Sequence, residues 1–389
     1  MFFKKYTVTT TTEYLPTEYK PRRIIVCLDG TWETPHDKTN VYKFYMNIDR
    51  SNNDWEYTTN YYLGLGAGKH PLLGGMFGYG ISKQIISAYK FICRNYRDER
   101  DEIWLLGFSR GAYAVRSLAG MMYNVGLLPP TKTSKSKRAY RIYRHRRGLG
   151  LPTSIISTHF REENGCRTPS IHFLGCFDTV GALGMPKMPW YLGGPIFYGL
   201  FHGINGFHDI NLAPIVKHAY HAMSIHEQRA WFSPTLMLSP TEQQTLEQIW
   251  FPGVHGDIGG QDDGRYNNIL SCHTLNWMMQ KAQEVGLKFI NKIDTCDKSK
   301  YKFQFHDSYK KGKIYSIMPR TDREIPKDEL TGRYQLSQIY LNGDFSSYLE
   351  QTELNMYPSK TLDNFFHNLE LQKELDEDQH QQIELKIEQ

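Results

Sequence analysis

Four short apolar runs limit what this chain can fold into: residues 24–28 (IIVCL), 103–108 (IWLLGF), 171–177 (IHFLGCF) and 248–251 (QIWF). Each is shorter than an ordinary helix and closes on a glycine or a turn. Nearly continuous apolar strands of this kind belong to parallel sheets whose two faces are both covered by helices. A more polar strand is expected over 57–63, ahead of the glycine-rich stretch 64–70 (GLGAGKH). Ile81, Ile85, Tyr89, Ile92 and Tyr96 recur at helical spacing, so 81–97 is predicted as an amphipathic helix. Helices are also predicted over 110–123, 215–225, 226–231 and 270–285, and a further strand over 314–318. The expected class is therefore α/β, with a mostly parallel central sheet and helices on both faces.

The 389 residues, 40% hydrophobic and 22% charged, suit a globular protein with a sizeable core. The Thr-rich residues 1–20 read as a loose N-terminal arm and 361–389 as a charged tail. One large domain is expected between them, over 21–360, with insertions at about 128–165 and 185–210. The second insertion contains the apolar, aromatic, Gly- and Pro-rich segment 185–207, whose composition suits lipid contact and equally an ordinary buried connection. No apolar run approaches the ~20 residues needed to cross a bilayer. The N-terminus has no apolar segment of the secretory kind, and no Asn-x-Ser/Thr acceptor occurs. Six cysteines without a C-x-x-C pair exclude a disulfide scaffold and zinc ribbons, and make a reducing compartment the default. A cytoplasmic location is the expectation.

The formal net charge of +5 hides an asymmetry. Lys132, Lys135, Lys137, Arg138, Arg141, Arg144, Arg146 and Arg147 fall in one stretch without an acid, and without these eight the chain carries −3. Such a run is either a solvated face or a peripheral contact with anionic lipid headgroups. Nucleic acid is not an expected partner, because the charge is local and no nucleic-acid-binding motif accompanies it.

The polar residues with chemistry to offer follow the predicted strands. Asp29 follows the first, Ser109 the 103–108 run, Asp178 the 171–177 run and His255 the last. In a parallel sheet these strand ends share one edge, where open α/β sheets bind ligands. Ser109 sits in Gly107-Phe108-Ser109-Arg110-Gly111, the G-x-S-x-G of a nucleophile elbow. Such a pentapeptide arises by chance in roughly one chain in seven of this composition. Its position between an apolar run and a helix, with an aspartate and then a histidine downstream, matches the order of an α/β-hydrolase triad. A serine hydroxyl needs a base at neutral pH. His255 would be that base, and Asp178 would hold and stabilise the imidazolium. Asp257 is the rival acid, or else a loop anchor. Asp29 reads as an orienting or turn residue, and His218, His221 and His226 as packing or surface groups. Backbone N–H groups of Arg110 and of the Gly30-Thr31 turn are the expected oxyanion donors.

Two motif-like stretches fail on inspection. In 64–70, Leu63 stands where a phosphate loop needs its first glycine and His70 where it needs Ser/Thr. In Cys27-Leu28-Asp29-Gly30-Thr31 a cysteine replaces the nucleophilic aspartate of a D-x-D-G-T phosphatase. No metal-ligand set and no cofactor is expected.

Taken together, Leu28-Asp29-Gly30-Thr31-Trp32, Thr39-Asn40-Val41, Gly107-Phe108-Ser109-Arg110-Gly111-Ala112-Tyr113 and Phe177-Asp178-Thr179-Val180-Gly181-Ala182 resemble the DUF2235 α/β-hydrolase family. So do Phe207-His208-Asp209, His218-Ala219-Tyr220-His221-Ala222 and Trp250-Phe251-Pro252-Gly253-Val254-His255. That family includes the Tle1-like phospholipase effectors of type VI secretion, and the resemblance runs from about residue 22 to 285. It implies an α/β-hydrolase-like fold with inserted lid segments, a Ser109–His255–Asp178 triad and ester hydrolysis on acyl lipids. The chain departs from the family pattern at Glu33, where asparagine is commoner, and at Gly256 and Gln261 around the histidine loop. The readings weighed beside a phospholipase are a soluble small-ester or thioester hydrolase and a non-catalytic module that binds lipid or protein.

Overall fold

The computed structural model describes residues 19–64 except 31, 32 and 52, then 75–145, 151–180, 211–261 except 239, and 268–293. It also describes 296, 300, 301, 305, 306, 320–327, 339, 340 and 367. The apolar segment 185–207, the strand expected over 314–318, and nearly all of the expected arm and tail lie outside these residues.

Six strands form one sheet: β1 (Arg22–Leu28), β2 (Glu56–Tyr62), β3 (Glu102–Phe108), β4 (Ile171–Phe177), β5 (Val216–Ser224) and β6 (Thr245–Phe251). Their order is β2-β1-β3-β4-β5-β6 and every neighbouring pair is parallel. Helices α1 (Asn40–Asn47), α2 (Gly75–Asn95), α3 (Arg110–Val125), α4 (Ser136–Arg144), α5 (Ile155–Asn164), α6 (His255–Gly259) and α7 (Ile269–Glu284) complete the described fold. The architecture is α/β, a single all-parallel sheet with helices on both faces. In register, Leu28 lies beside Gly107, Gly107 beside Cys176, Cys176 beside His221 and His221 beside Gln248. The strand ends that precede Asp29, Ser109, Asp178 and His255 therefore lie at one edge of the sheet, with β6 running three residues further.

Alternation along the strands divides the core in two. Ile24, Val26, Leu28, Ile103 and Leu105 pack with Tyr89 and Ile92 of α2 and Val115, Leu118 and Met122 of α3. Their neighbours Ile25, Cys27, Trp104, Leu106 and Phe108 face Val41 and Phe44 of α1 and Trp277 and Met278 of α7. Both faces are thus covered, as the continuous apolar runs require. Helices α4 and α5 lie in the expected insertion at 128–165, yet Tyr140, Tyr143 and Phe160 belong to the same core cluster as α3. These two helices are part of the packed layer.

Three expectations need correction. Residues 215–225, read as helical, form β5, and 226–231 is a loop running into a short 3₁₀ turn (Ala230–Phe232). Local Ala, Met and His content favours a helix weakly, but lodging between β4 and β6 overrides it with a full set of ladder bonds. Cys272 and Cys296, taken to be reduced, are joined in a disulfide. Their separation of 24 residues has no local signature to find. The buried thiols of Cys93 and Cys176 behave as expected for small core groups, with burial the main influence that pushes both up to about 12.

Glycine is required where α3 meets β1. A Cβ on Gly111 would lie 2.1 Å from the Leu28 carbonyl oxygen and 2.6 Å from that of Asp29, backbone atoms that cannot swing away. Gly165 has a positive φ of 65° but nothing within 4 Å of its would-be Cβ. Gly111→Ala is expected to destabilise by more than about 3 kcal/mol, and Gly165→Ala by about 1–2 kcal/mol. Urea midpoints for the two variants check the contrast, and equal losses would contradict it.

Candidate active site

At the end of β3 the chain must reverse into α3 within one residue, and Ser109 makes that turn at φ 57°, ψ −119°. Such a conformation is costly for a residue with a Cβ and persists only where its surroundings enforce it. Here Ser109 N–H donates to Phe177 O at 2.9 Å and Ser109 O accepts from Tyr113 N–H. Gly107 and Gly111 give the space: a Cβ on Gly107 would lie 2.6 Å from the Ala112 nitrogen. Asp178 leaves β4 in a similar way, at φ 41°, and its N–H donates to Ala222 O at 2.7 Å. Among the described residues only two other non-glycines, Lys38 and Cys296, have positive φ.

The three side chains meet in a line. His255 Nε2 lies 2.9 Å from Ser109 Oγ, and His255 Nδ1 lies 2.6 Å from Asp178 Oδ2. Ser109, Asp178 and His255 are all buried. The His255 ring is set between aromatic neighbours, Phe108 at 4.8 Å and Phe232 edge-on at 4.9 Å. His255 opens α6, and its N–H donates to Glu227 Oε2 at 3.2 Å. Burial lowers the His255 pKa, against the pull of Asp178, which favours the charged ring. Burial alone would raise the Asp178 pKa, but Arg323 and His255 beside it hold the carboxyl well below the usual range.

Asp257 is occupied elsewhere. Its carboxylate accepts from Val254 N–H and from Asn268 Nδ2, both at 2.8 Å, and pairs with His306 Nδ1. It ties the α6 turn to α7, the loop-anchoring alternative of the two open for it. Asp29 accepts from Thr39 Oγ1 at 2.6 Å, from the Tyr61 hydroxyl and from Gly30 N–H at 2.7 Å. Burial pushes its pKa up to about 6 despite these bonds. The Gly30 N–H expected to face an oxyanion is thus directed at its neighbour's carboxylate. Arg110 is the first residue of α3, directly after Ser109. Thr31 lies outside the described residues.

Several residues around the site carried no sequence signal. Arg323 donates from Nη1 to Asp178 Oδ1 at 2.6 Å and from Nη2 to Asp178 Oδ2 at 2.9 Å. Ser224 N–H donates to Asp178 Oδ1 at 3.0 Å. Glu227 is held by Arg229 through Nε and Nη2 at 2.8 and 2.9 Å. His221 and His226, placed on a helix by the sequence, sit under the site instead. His221 Nε2 accepts from Thr179 N–H at 3.0 Å, and His226 Nδ1 accepts from Gly253 N–H at 3.0 Å. One holds the residue after Asp178 and the other the turn before His255. Burial is the chief reason that their pKa values fall, to about 3 for His221 and about 4 for His226.

The basic run is only partly available for a partner. Lys135 and Arg138 pair with Glu163 at 3.3 and 3.5 Å, and Lys132 donates to the Glu163 and Asn164 carbonyls. Lys137 and Arg141 are exposed, and Arg146 and Arg147 lie outside the described residues. The α5 helix is anchored to the far end of α3, where Ser157 and Arg161 bond Asn124. The 16 residues of α3 place that end about 24 Å from Ser109. No described helix is long and apolar enough to cross a membrane, and no described cluster of His, Cys, Asp and Glu could hold a metal ion.

A buried histidine kept neutral stabilises the fold fully above its unfolded pKa of about 6.5, and that stability is lost as pH falls towards the folded value. For His221 the window runs from about 6.5 to about 3. His221→Gln is therefore expected to lose less stability than the native chain on acidification from pH 7 to 4, by a few kcal/mol. Urea unfolding at stepped pH measures this, and parallel curves for the two proteins would refute it.

Comparison with known proteins places these features in a family. The model of the type VI secretion system phospholipase effector Tle1-like catalytic domain matches residues 22–281. Uncharacterized protein YEL023C of Saccharomyces cerevisiae is 30% identical over 235 residues, which cover 54% of this chain and 32% of that protein. The crystal structure of an uncharacterized protein from Pseudomonas aeruginosa aligns with a TM-score of 0.41 at 18% identity, covering 69% of this chain and 46% of that one. The Tle1 effector bound to the VgrG spike of the type 6 secretion system aligns at 0.36 and 17%, covering 69% and 56%. The chain thus spans about a third of the yeast relative and about half of each solved structure.

Proposed function

The chain belongs to the family of Tle1-like catalytic domains of type VI secretion phospholipase effectors, and on that premise we propose that it is a serine carboxyl-ester hydrolase acting on the acyl esters of phospholipids. The observation that carries this reading is the line Asp178–His255–Ser109, with contacts of 2.6 and 2.9 Å behind a G-x-S-x-G elbow. Ser109 Oγ attacks the ester carbonyl while His255 Nε2 takes its proton. Asp178 accepts from His255 Nδ1–H, which selects the tautomer and stabilises the imidazolium. The tetrahedral oxyanion is met by the Arg110 N–H at the head of α3 and by a second donor from the turn after β1. Gly30 N–H itself is taken by the Asp29 carboxylate. His255 then protonates the leaving alcohol, and a water activated by the same imidazole releases the acyl group. No metal or cofactor is needed for this sequence of steps.

The substrate is read from the family and from the chemistry of an ester-cleaving serine. Lys137 and Arg141, exposed members of the basic run, are then a peripheral contact for anionic headgroups.

A fluorophosphonate probe is expected to label the native chain at Ser109, with phosphatidylglycerol or phosphatidylethanolamine vesicles hydrolysed by the same preparation. Ser109→Ala and His255→Ala are each expected to abolish labelling and to lower kcat by about 10⁶-fold. Labelling without phospholipid turnover would move the substrate to small esters. A folded native chain that does not label would leave a non-catalytic binding module.

A further inference from the structure

Residues 320–327 lie beyond the family match at 22–281, yet they reach the centre of the site. The segment docks on the loop after β5. Thr321 N–H donates to Gln228 O, Gln228 Nε2 donates to Asp322 Oδ1, and Ile325 packs with Met223, Ile225 and Trp250. Arg323 is thereby carried into the interior, where its guanidinium meets both oxygens of Asp178, the Ser224 carbonyl and hydroxyl, and the Phe232 carbonyl. Both Arg323 and Asp178 are buried. An arginine sharing the carboxylate of an Asp–His–Ser line is more than packing, because the carboxylate's charge is what the histidine draws on.

We infer that Arg323 is a positioning residue for the reaction, which clamps Asp178 in its strained turn and sets the basicity of His255 through it. The inference rests on the triad reading above. A bidentate guanidinium fixes the plane of the carboxylate and so directs Oδ2 at His255 Nδ1. It also neutralises part of the charge that would stabilise the imidazolium, which keeps His255 neutral and able to accept the Ser109 proton at lower pH. The charged groups facing this pair come from every neighbouring element. Glu227 and Arg229 approach from the loop after β5, and His221 and Arg116 lie beneath Asp178. Asp257 and His306 pair with each other beside α6. Glu227 is committed to Arg229, and His221 is neutral, so Arg323 is the cation in direct contact with the carboxylate.

The test is the pH profile of kcat/KM for vesicle hydrolysis, with the fluorophosphonate labelling rate as a parallel readout. In the native chain the acid limb is expected to have its midpoint below the ordinary histidine value of about 6.5. Arg323→Met is expected to lower kcat/KM by about 10–100-fold and to move that midpoint up by about one pH unit. Arg323→Lys keeps a charge but serves one oxygen, so a smaller shift in the same direction is expected. Folding of each variant is checked by circular dichroism. A folded Arg323→Met with lowered activity and an unmoved midpoint would reduce Arg323 to a structural prop and overturn the inference. If Arg323→Met does not fold, an unmoved midpoint in Arg323→Lys has the same force, and a native midpoint at or above 6.5 overturns it without any variant. A native chain that does not label at Ser109 fails the triad reading itself, a result distinct from all of these.

Discussion

A carboxylate with no exposure to water is the constraint around which the site is organised. Burying an unpaired charge costs several kcal/mol, so Asp178 is tolerable only where partners surround it. It has Arg323 on both oxygens, Ser224 N–H on Oδ1 and His255 on Oδ2. Those partners come from β5, from the start of α6 and from a segment near residue 323, which are far apart in the chain. Meeting the needs of one anion therefore draws three distant pieces of backbone to the end of β4. The same demand explains why the Arg323 segment crosses the loop after β5 instead of leaving into solvent.

Strain is held at the same place. Ser109 and Asp178 both take positive φ, and each sits at the end of a buried strand where the ladder cannot give way. Phe177 O accepts from Ser109 N–H, and Ala222 O accepts from Asp178 N–H, so each turn is secured by the next strand over. The helices press from both faces, and Gly107, Gly111 and Gly259 are small because backbone or the Phe108 ring occupies the space a Cβ would need. A rigid scaffold is thus paired with a small number of unfavourable backbone angles, an arrangement that presents a side chain in a fixed direction.

Much of this was legible in the sequence. The runs at 103–108 and 171–177 match β3 and β4 to within a residue, since strands buried on both faces must be apolar throughout. Ser109, Asp178 and His255 could be picked out because each follows such a strand. β5 is not legible in the same way: its His, Ala and Met residues carry a weak helical preference, and only the neighbours β4 and β6 satisfy the hydrogen bonds of an extended backbone there. Arg323 could not be found, because a single arginine in a stretch without periodicity has no local feature to distinguish it. The Cys272–Cys296 bond was missed for a similar reason, its partners being 24 residues apart.

The sequence alone determined the class of fold and the edge at which Ser109, Asp178 and His255 would gather, because hydrophobic periodicity and glycine spacing are properties of neighbouring residues. It also determined the turn at Ser109, whose two glycines are needed within five positions. Tertiary structure alone decided which distant groups complete the site: Arg323 on Asp178, Glu227 on the His255 backbone, His221 and His226 beneath the loops, and Asp257 turned towards α7. Those pairings follow from where a buried charge or an unsatisfied N–H can find a partner in space, and separation along the chain places no limit on that.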